Sequence, residues 1–177
     1  MGFNVVLRVA FLCLVWALIM KFQMDYEQDL TATRHLKNTL EIAVHDGSMM
    51  ISPDELSKGS IIFDRYMAEG AFILAFERNT GMRYSGDSFL PEPSNSQVFF
   101  KHPVDVVHME LIDELSQPGI TFPCVYGISC GNPEYEIFET IYGPSMVVVA
   151  ETLSPRFFSD EPQVIRQSAV YEYKNQY

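Results

Sequence analysis

Residues 3–20 read FNVVLRVAFLCLVWALIM, eighteen positions that hold a single charge, Arg8. A helix of this composition is apolar on every side, so water alone cannot accommodate it. It enters a bilayer, is removed as a signal, or is wrapped by the rest of a soluble fold. Its uninterrupted apolar part, Val9 to Met20, has twelve residues, close to a signal-peptide h-region. Cleavage also needs small residues in an A-x-A-like pattern, and Ala17-Leu18-Ile19-Met20-Lys21-Phe22-Gln23-Met24 offers none. The expectation is an uncleaved signal-anchor over residues 1–20. Arg8 snorkels near one end, Leu12 and Trp16 lie in lipid, and the helix runs on through Phe22 to supply the missing length.

Flanking charge sets the expected orientation. Before the apolar run lie only the α-amine and Arg8, whereas Lys21 is followed by Asp25, Glu27 and Asp29. The positive-inside bias then puts the N-terminus in the cytoplasm and the C-terminal domain outside it, as a single-pass protein.

From Lys21 to Asp46 there is neither Pro nor Gly. Phe22, Tyr26, Leu30, Thr33, Leu36, Leu40, Ala43 and Val44 recur by threes and fours on one helix face, opposite Asp25, Gln28, Arg34, Lys37, Asn38 and Glu41. This spacing predicts a stalk helix over 21–46, continuous with the anchor and ended by Gly47 as C-cap. Ser52-Pro53-Asp54-Glu55 starts a short helix, with a hydroxyl N-cap, Pro at N1 and carboxylates in the first turn. Residues 61–78 form the next amphipathic helix, with Ile62, Phe63, Tyr66, Met67, Ile73, Leu74 and Phe76 on its apolar face, and Asn79-Thr80-Gly81 closes it.

Residues 85–96, SGDSFLPEPSNS, are dense in turn chemistry and mark a linker that completes a segment 47–96. Beyond it the period changes to two, with expected strands at 97–100, 104–111, 121–126, 137–142, 146–152 and 165–174. In the last, Ile165, Gln167, Ala169, Tyr171 and Tyr173 alternate with Arg166, Ser168, Glu172 and Lys174. The fold class is therefore α+β. An N-terminal transmembrane helix continues into an amphipathic stalk, a second helix follows, and a mainly antiparallel β-rich head occupies 97–177.

Charge removes one class of partner. With 12 Lys+Arg against 23 Asp+Glu the net charge is −11, a surface that repels phosphate backbones and excludes nucleic acid. Cys13 lies in the apolar run as a small hydrophobe. Cys124 and Cys130, in CVYGISC, could form a disulfide, stay as two free thiols, or supply half a zinc site. Five intervening residues depart from the usual zinc spacing, and a disulfide is the expectation.

Nothing in the chain carries a catalytic signature. No G-x-S-x-G, S-x-x-K, Walker loop or G-x-G-x-x-G occurs. His45-Asp46 are adjacent on a helix, where side chains point apart, so His45 reads as a helix-terminus residue. His102 and His108 with Glu110 are the one conceivable metal set, weakened by Pro103 after His102. Glu134/Glu136 and Asp160-Glu161 read as solvated surface. Tyr171, Tyr173 and Tyr177 read first as core and second as a contact surface. The chain is accordingly expected to be no enzyme and to need no cofactor or metal.

The anchor Val9–Met20, the stalk Phe22–Val44 and the pair Cys124/Cys130 together outline a lollipop. In that plan the chain resembles pilin-like subunits, and more specifically bitopic Tad-type (tight-adherence) pilus assembly proteins and minor pseudopilins. It departs from them at the processing site. Gly2 is followed by Phe3-Asn4-Val5-Val6-Leu7, so Leu7 stands where a prepilin carries Glu. The resemblance implies a membrane-anchored structural or assembly subunit of a pilus- or conjugation-related surface apparatus. Its partners would be membrane lipid and other anchored or pilin-like subunits. A stalk assembly face is expected at Tyr26, Leu30, Leu36 and Leu40, although such a helix half can equally be satisfied by its own head. The alternative is a signal-anchored extracytoplasmic ligand-binding or sensing module without catalytic activity.

Overall fold

The structure is a computed structural model that describes residues 2–135, 137–159 and 163–174, with side chains from Asn4 onward. It is an α+β fold built on one long helix, α1 (Gly2–Ser48). Forty-seven residues at about 1.5 Å each make α1 about 70 Å long. Two further helices follow, α2 (Pro53–Leu56) and α3 (Arg65–Thr80). The strands are β1 (Met82–Ser85), β2 (Ser88–Pro91), β3 (Val104–Ile112), β4 (Cys124–Val125), β5 (Thr140–Ile141), β6 (Ser145–Leu153) and β7 (Val164–Glu172). Five of them form one antiparallel sheet in the order β1-β2-β3-β6-β7, and β4 pairs with β5 separately.

The two halves of α1 live in different surroundings. Val5, Val6, Leu7, Val9, Phe11, Leu12, Leu14, Trp16, Leu18 and Phe22 are all more than half exposed, and an 18-residue window there is long and apolar enough to span a bilayer. Ala32, Leu36, Leu40, Ala43 and Val44 are fully buried, packed with α3, β6 and β7 in the main core. The expected projecting stalk over 21–46 is therefore corrected. Its apolar face is satisfied within the same chain, and the second half of α1 belongs to the head.

That packing needs close approach. Gly47 is not the C-cap, because the helix runs to Ser48. A Cβ on Gly47 would meet Met146 Sδ at 2.6 Å and the Ala68 carbonyl at 3.0 Å, so the missing side chain lets α1 touch α3 and β6 together. α3 starts at Arg65 rather than 61. Its N-cap Asp64 accepts the Met67 N–H at 3.1 Å. Residues 61–63 are held extended instead, by the Ile51–Phe63 bridge and by the Phe63 N–H bonded to buried Asp113. Gly81, in the left-handed region, ends α3 as expected.

β1 and β2 form a hairpin around Gly86-Asp87 inside the segment expected to be helix and linker. Residues 97–100 make no ladder. Val98 and Phe100 are buried and Phe99 is half-exposed, so the alternation there reports burial and not strand pairing. The expected strands at 121–126 and 137–142 shrink to the two-residue β4 and β5.

A bulge in β3 divides the sheet's faces. The register shifts between Val106 and His108. Before it Val104 and Val106 face the helices; after it Met109 and Leu111 do, while His108, Glu110 and Ile112 face the other way. On that second face lies the 113–144 excursion, whose Cys124, Tyr126, Cys130, Ile137 and Ile141 pack with Ile112, Val147 and Val149 as a smaller core.

Candidate functional site

A dense polar site lies where the exposed half of α1 becomes the buried half. Asp25 and Asp29 are four residues apart, hence on one helix face. Both grip the loop 154–159 between β6 and β7. Asp25, only 7% exposed, accepts the N–H groups of Phe157 and Phe158 on Oδ1 at 3.1 and 3.0 Å. Asp29 takes Arg156 in bidentate fashion, Nε at 3.0 and 3.1 Å and Nη2 at 2.5 Å. These bonds are the main reason the Asp29 carboxyl is held below its ordinary value of 3.8, against the opposing effect of burial. The loop is further braced by the Ser154 N–H on the Gln163 carbonyl at 2.8 Å.

Beside this junction opens a cleft of about 650 Å³. Val98, Phe99, Leu153, Pro155 and Phe157 form its apolar lining, and Gln28, Lys101, His102 and Arg156 its polar part. His35 on α1 stacks flat on Phe99, behind the cleft, at 5.0 Å. An apolar body with an anionic group matches this lining in chemistry.

On the opposite face of the sheet, Glu110 Oε2 gathers three partners. The Tyr126 hydroxyl donates to it at 2.7 Å and the Asn132 N–H at 3.3 Å, and His108 Nε2 lies 3.3 Å away. His108 Nε2 is also 3.0 Å from the Tyr126 hydroxyl, and its ring stacks on Tyr135 at 4.5 Å. Burial, reinforced by the Glu110 bond, pushes the Tyr126 phenol well above its usual range. Gly131, with φ of +67°, lies against the Tyr126 ring, where any side chain would collide. The cluster ties β3 to the lobe that carries the Cys124–Cys130 disulfide, whose Cα atoms are 6.0 Å apart.

Several expectations change in this light. His102 lies in the cleft and His108 in the lobe contact, so the His102/His108 metal set is not assembled. Among the described residues no group of three His, Cys, Asp or Glu side chains could hold a metal ion. His45 Nδ1 and Asp46 Oδ1 do meet, at 3.1 Å, although adjacent on a helix, while the His45 ring packs edge-on against Tyr171. Of the expected assembly face, Leu36 and Leu40 are fully buried, Leu30 is half-buried, and only Tyr26 is exposed, at 61%. Arg8, Leu12 and Trp16 lie on the exposed half of α1. Tyr171 and Tyr173 pack against the core and Glu134 is exposed. Glu136, Asp160, Glu161 and Tyr177 lie outside the described residues.

Sequence reading misses the roles of Asp25, Asp29 and Arg156. Helical spacing puts Asp25 with the charged face of α1, and its partners are 132 and 133 residues away. The one local signal is an acidic pair at helical spacing, which solvated faces also show. No family model, curated protein or solved structure matches the chain.

Proposed function

We propose that the chain is a membrane-anchored structural or assembly subunit of a cell-surface apparatus, pilin-like in plan, with its head outside the cytoplasm. One observation carries this reading. The exposed apolar half of α1 is continuous, without break or linker, with the half that cores the head. Lateral association of such anchors would transmit directly into the spacing of the heads, as a structural subunit requires. The Cys124–Cys130 bridge supports an oxidising compartment for the head. The net charge of −11 disfavours nucleic acid as a partner. Because Leu36 and Leu40 are internal, the apolar surface that α1 offers to neighbouring anchored subunits is its exposed first half with Tyr26.

The test is cross-linking in intact cells followed by shearing, membrane isolation and co-purification. Cross-links from the exposed half of α1 to other anchored proteins, with the head cut by external protease, are the expected result. A protein that stays alone in the membrane, or whose head is protected from outside, contradicts it.

The cleft of about 650 Å³ beside Arg156 favours a second reading, a tethered ligand-binding module. An unlinked protein that retains a small molecule through purification would support that reading over the first.

A further inference from the structure

We infer that the loop 154–159 is a second membrane contact. Phe157 and Phe158 sit in the headgroup layer of the bilayer that holds α1 and set the head's stance against it. This rests on the anchor reading above and adds a surface to it.

The level of the loop is fixed by α1 itself. Exposed apolar side chains run from Val5 to Met24, interrupted by Arg8, Lys21 and Gln23, and at about 1.5 Å per residue the stretch 4–24 spans about 30 Å, the thickness of the hydrocarbon core. Asp25 is the next residue. Its carboxylate holds the backbone of Phe157 and Phe158, so both rings lie within a side-chain length of the lipid boundary. The polar layer beyond the core is itself about 5–8 Å thick on each side. Aromatic rings at that depth are the ordinary interfacial anchors of membrane proteins.

Three further features fit. Both rings are turned outward, at 63% and 47% exposure, although adjacent large apolar side chains in a loop are usually tucked inward. The loop is preordered by Arg156 on Asp29 and by the two N–H bonds to Asp25, so little freedom is lost on docking. Lys101 shares the cleft with Phe157, and Lys21, one turn toward the lipid from Asp25 on α1, reaches the same level by snorkelling, which brings two ammonium groups toward the phosphate layer. The pairing with Asp25 also answers a problem of position. A carboxylate at the edge of lipid is costly unless protein donors satisfy it, and the loop supplies two.

The experiment uses the full chain reconstituted in phosphatidylcholine vesicles, with lipids brominated either near the headgroup or near the chain ends. Trp16 is the only tryptophan, so the wild-type protein reports the anchor alone. The variant Trp16→Phe/Phe158→Trp reports the loop, and Trp16→Phe/Phe157→Trp repeats it one residue away if the first folds poorly. Docking predicts that the loop tryptophan loses more emission to the shallow bromines than to the deep ones. Absence of quenching overturns the inference, whether the emission is water-like or is blue-shifted against a second copy. If Trp16 also escapes quenching by the deep bromines, the anchor reading itself has failed. Quenching of Trp16 without quenching of the loop tryptophan refutes the docking surface only.

Discussion

The two halves of α1 share a backbone and an unbroken hydrogen-bond ladder, yet they are stabilised by different media. From Val9 to Met20 the apolar side chains cover the whole circumference, and the fold buries none of the bilayer-length window. From Ala32 onward, Ile42 apart, they lie on one stripe, and that stripe packs in the head's main core. The contrast teaches that the width of an apolar face selects the partner. A full cylinder needs lipid, whereas a stripe can be covered by one sheet and one helix. The boundary between the two regimes is where the chain invests its paired carboxylates, Asp25 and Asp29.

Breaking the second half has the larger expected effect. Leu36→Asp buries a charge in the main core, at a cost of about 4 kcal/mol or more, a large share of a typical domain's stability. The head should unfold or lose its cooperative melt while membrane retention persists. A free stalk would instead leave the head's melting unchanged. Leu12→Arg tests the first half. A central arginine costs about 3 kcal/mol on insertion scales, so the protein should leave the membrane fraction while the head melts as before. Undiminished membrane retention would contradict the anchor.

Cys124→Ser acts on neither half and serves as the contrast. Opening a loop with sequence separation 6 costs about 2 kcal/mol, read as a lower melting temperature and an altered mobility without reductant. The lobe lies across the sheet from α1, so membrane retention and the core packing of Leu36 and Leu40 should not move.

Asp29→Asn probes the boundary with the smallest effect, about 1 kcal/mol at neutral pH. The Asp29 carboxyl is lowered in the folded state, first by its Arg156 bonds. Its contribution is therefore complete above the ordinary value of 3.8 and is lost as pH falls through the lowered folded value. The stability gap between wild type and Asp29→Asn should narrow only on acidification below that ordinary value. A gap that is constant with pH would show the ion pair to be idle.

Much of this architecture is legible in the sequence because it is periodic. The long helix, the α3 stop at Gly81 and the alternation of β7 all announce themselves locally. Four features escape for physical reasons. Leu36 and Leu40 form a face that would look identical whether its cover came from this chain or another. The β1–β2 hairpin is only four residues per strand around Gly86-Asp87, so its turn chemistry outweighs its alternation. The bulge at Val107 shifts which side of β3 each residue faces, and no local pattern predicts it. The junction is the least visible of all, since Arg156 and Asp29 meet across 127 residues.

The most direct test of the divided helix is accessibility scanning along α1 in phosphatidylcholine vesicles. On a Cys13→Ser background, single cysteines from Val5 to Val44 carry a spin label, and collisions with oxygen and with a water-soluble nickel chelate are compared. Two environments predict oxygen access without periodicity and no nickel access through Met20. From Ala32 onward they predict a helical period in both, with minima at Ala32, Leu36, Leu40 and Ala43. Nickel access at Leu12, or one helical period of burial running through the whole of α1, would contradict the division.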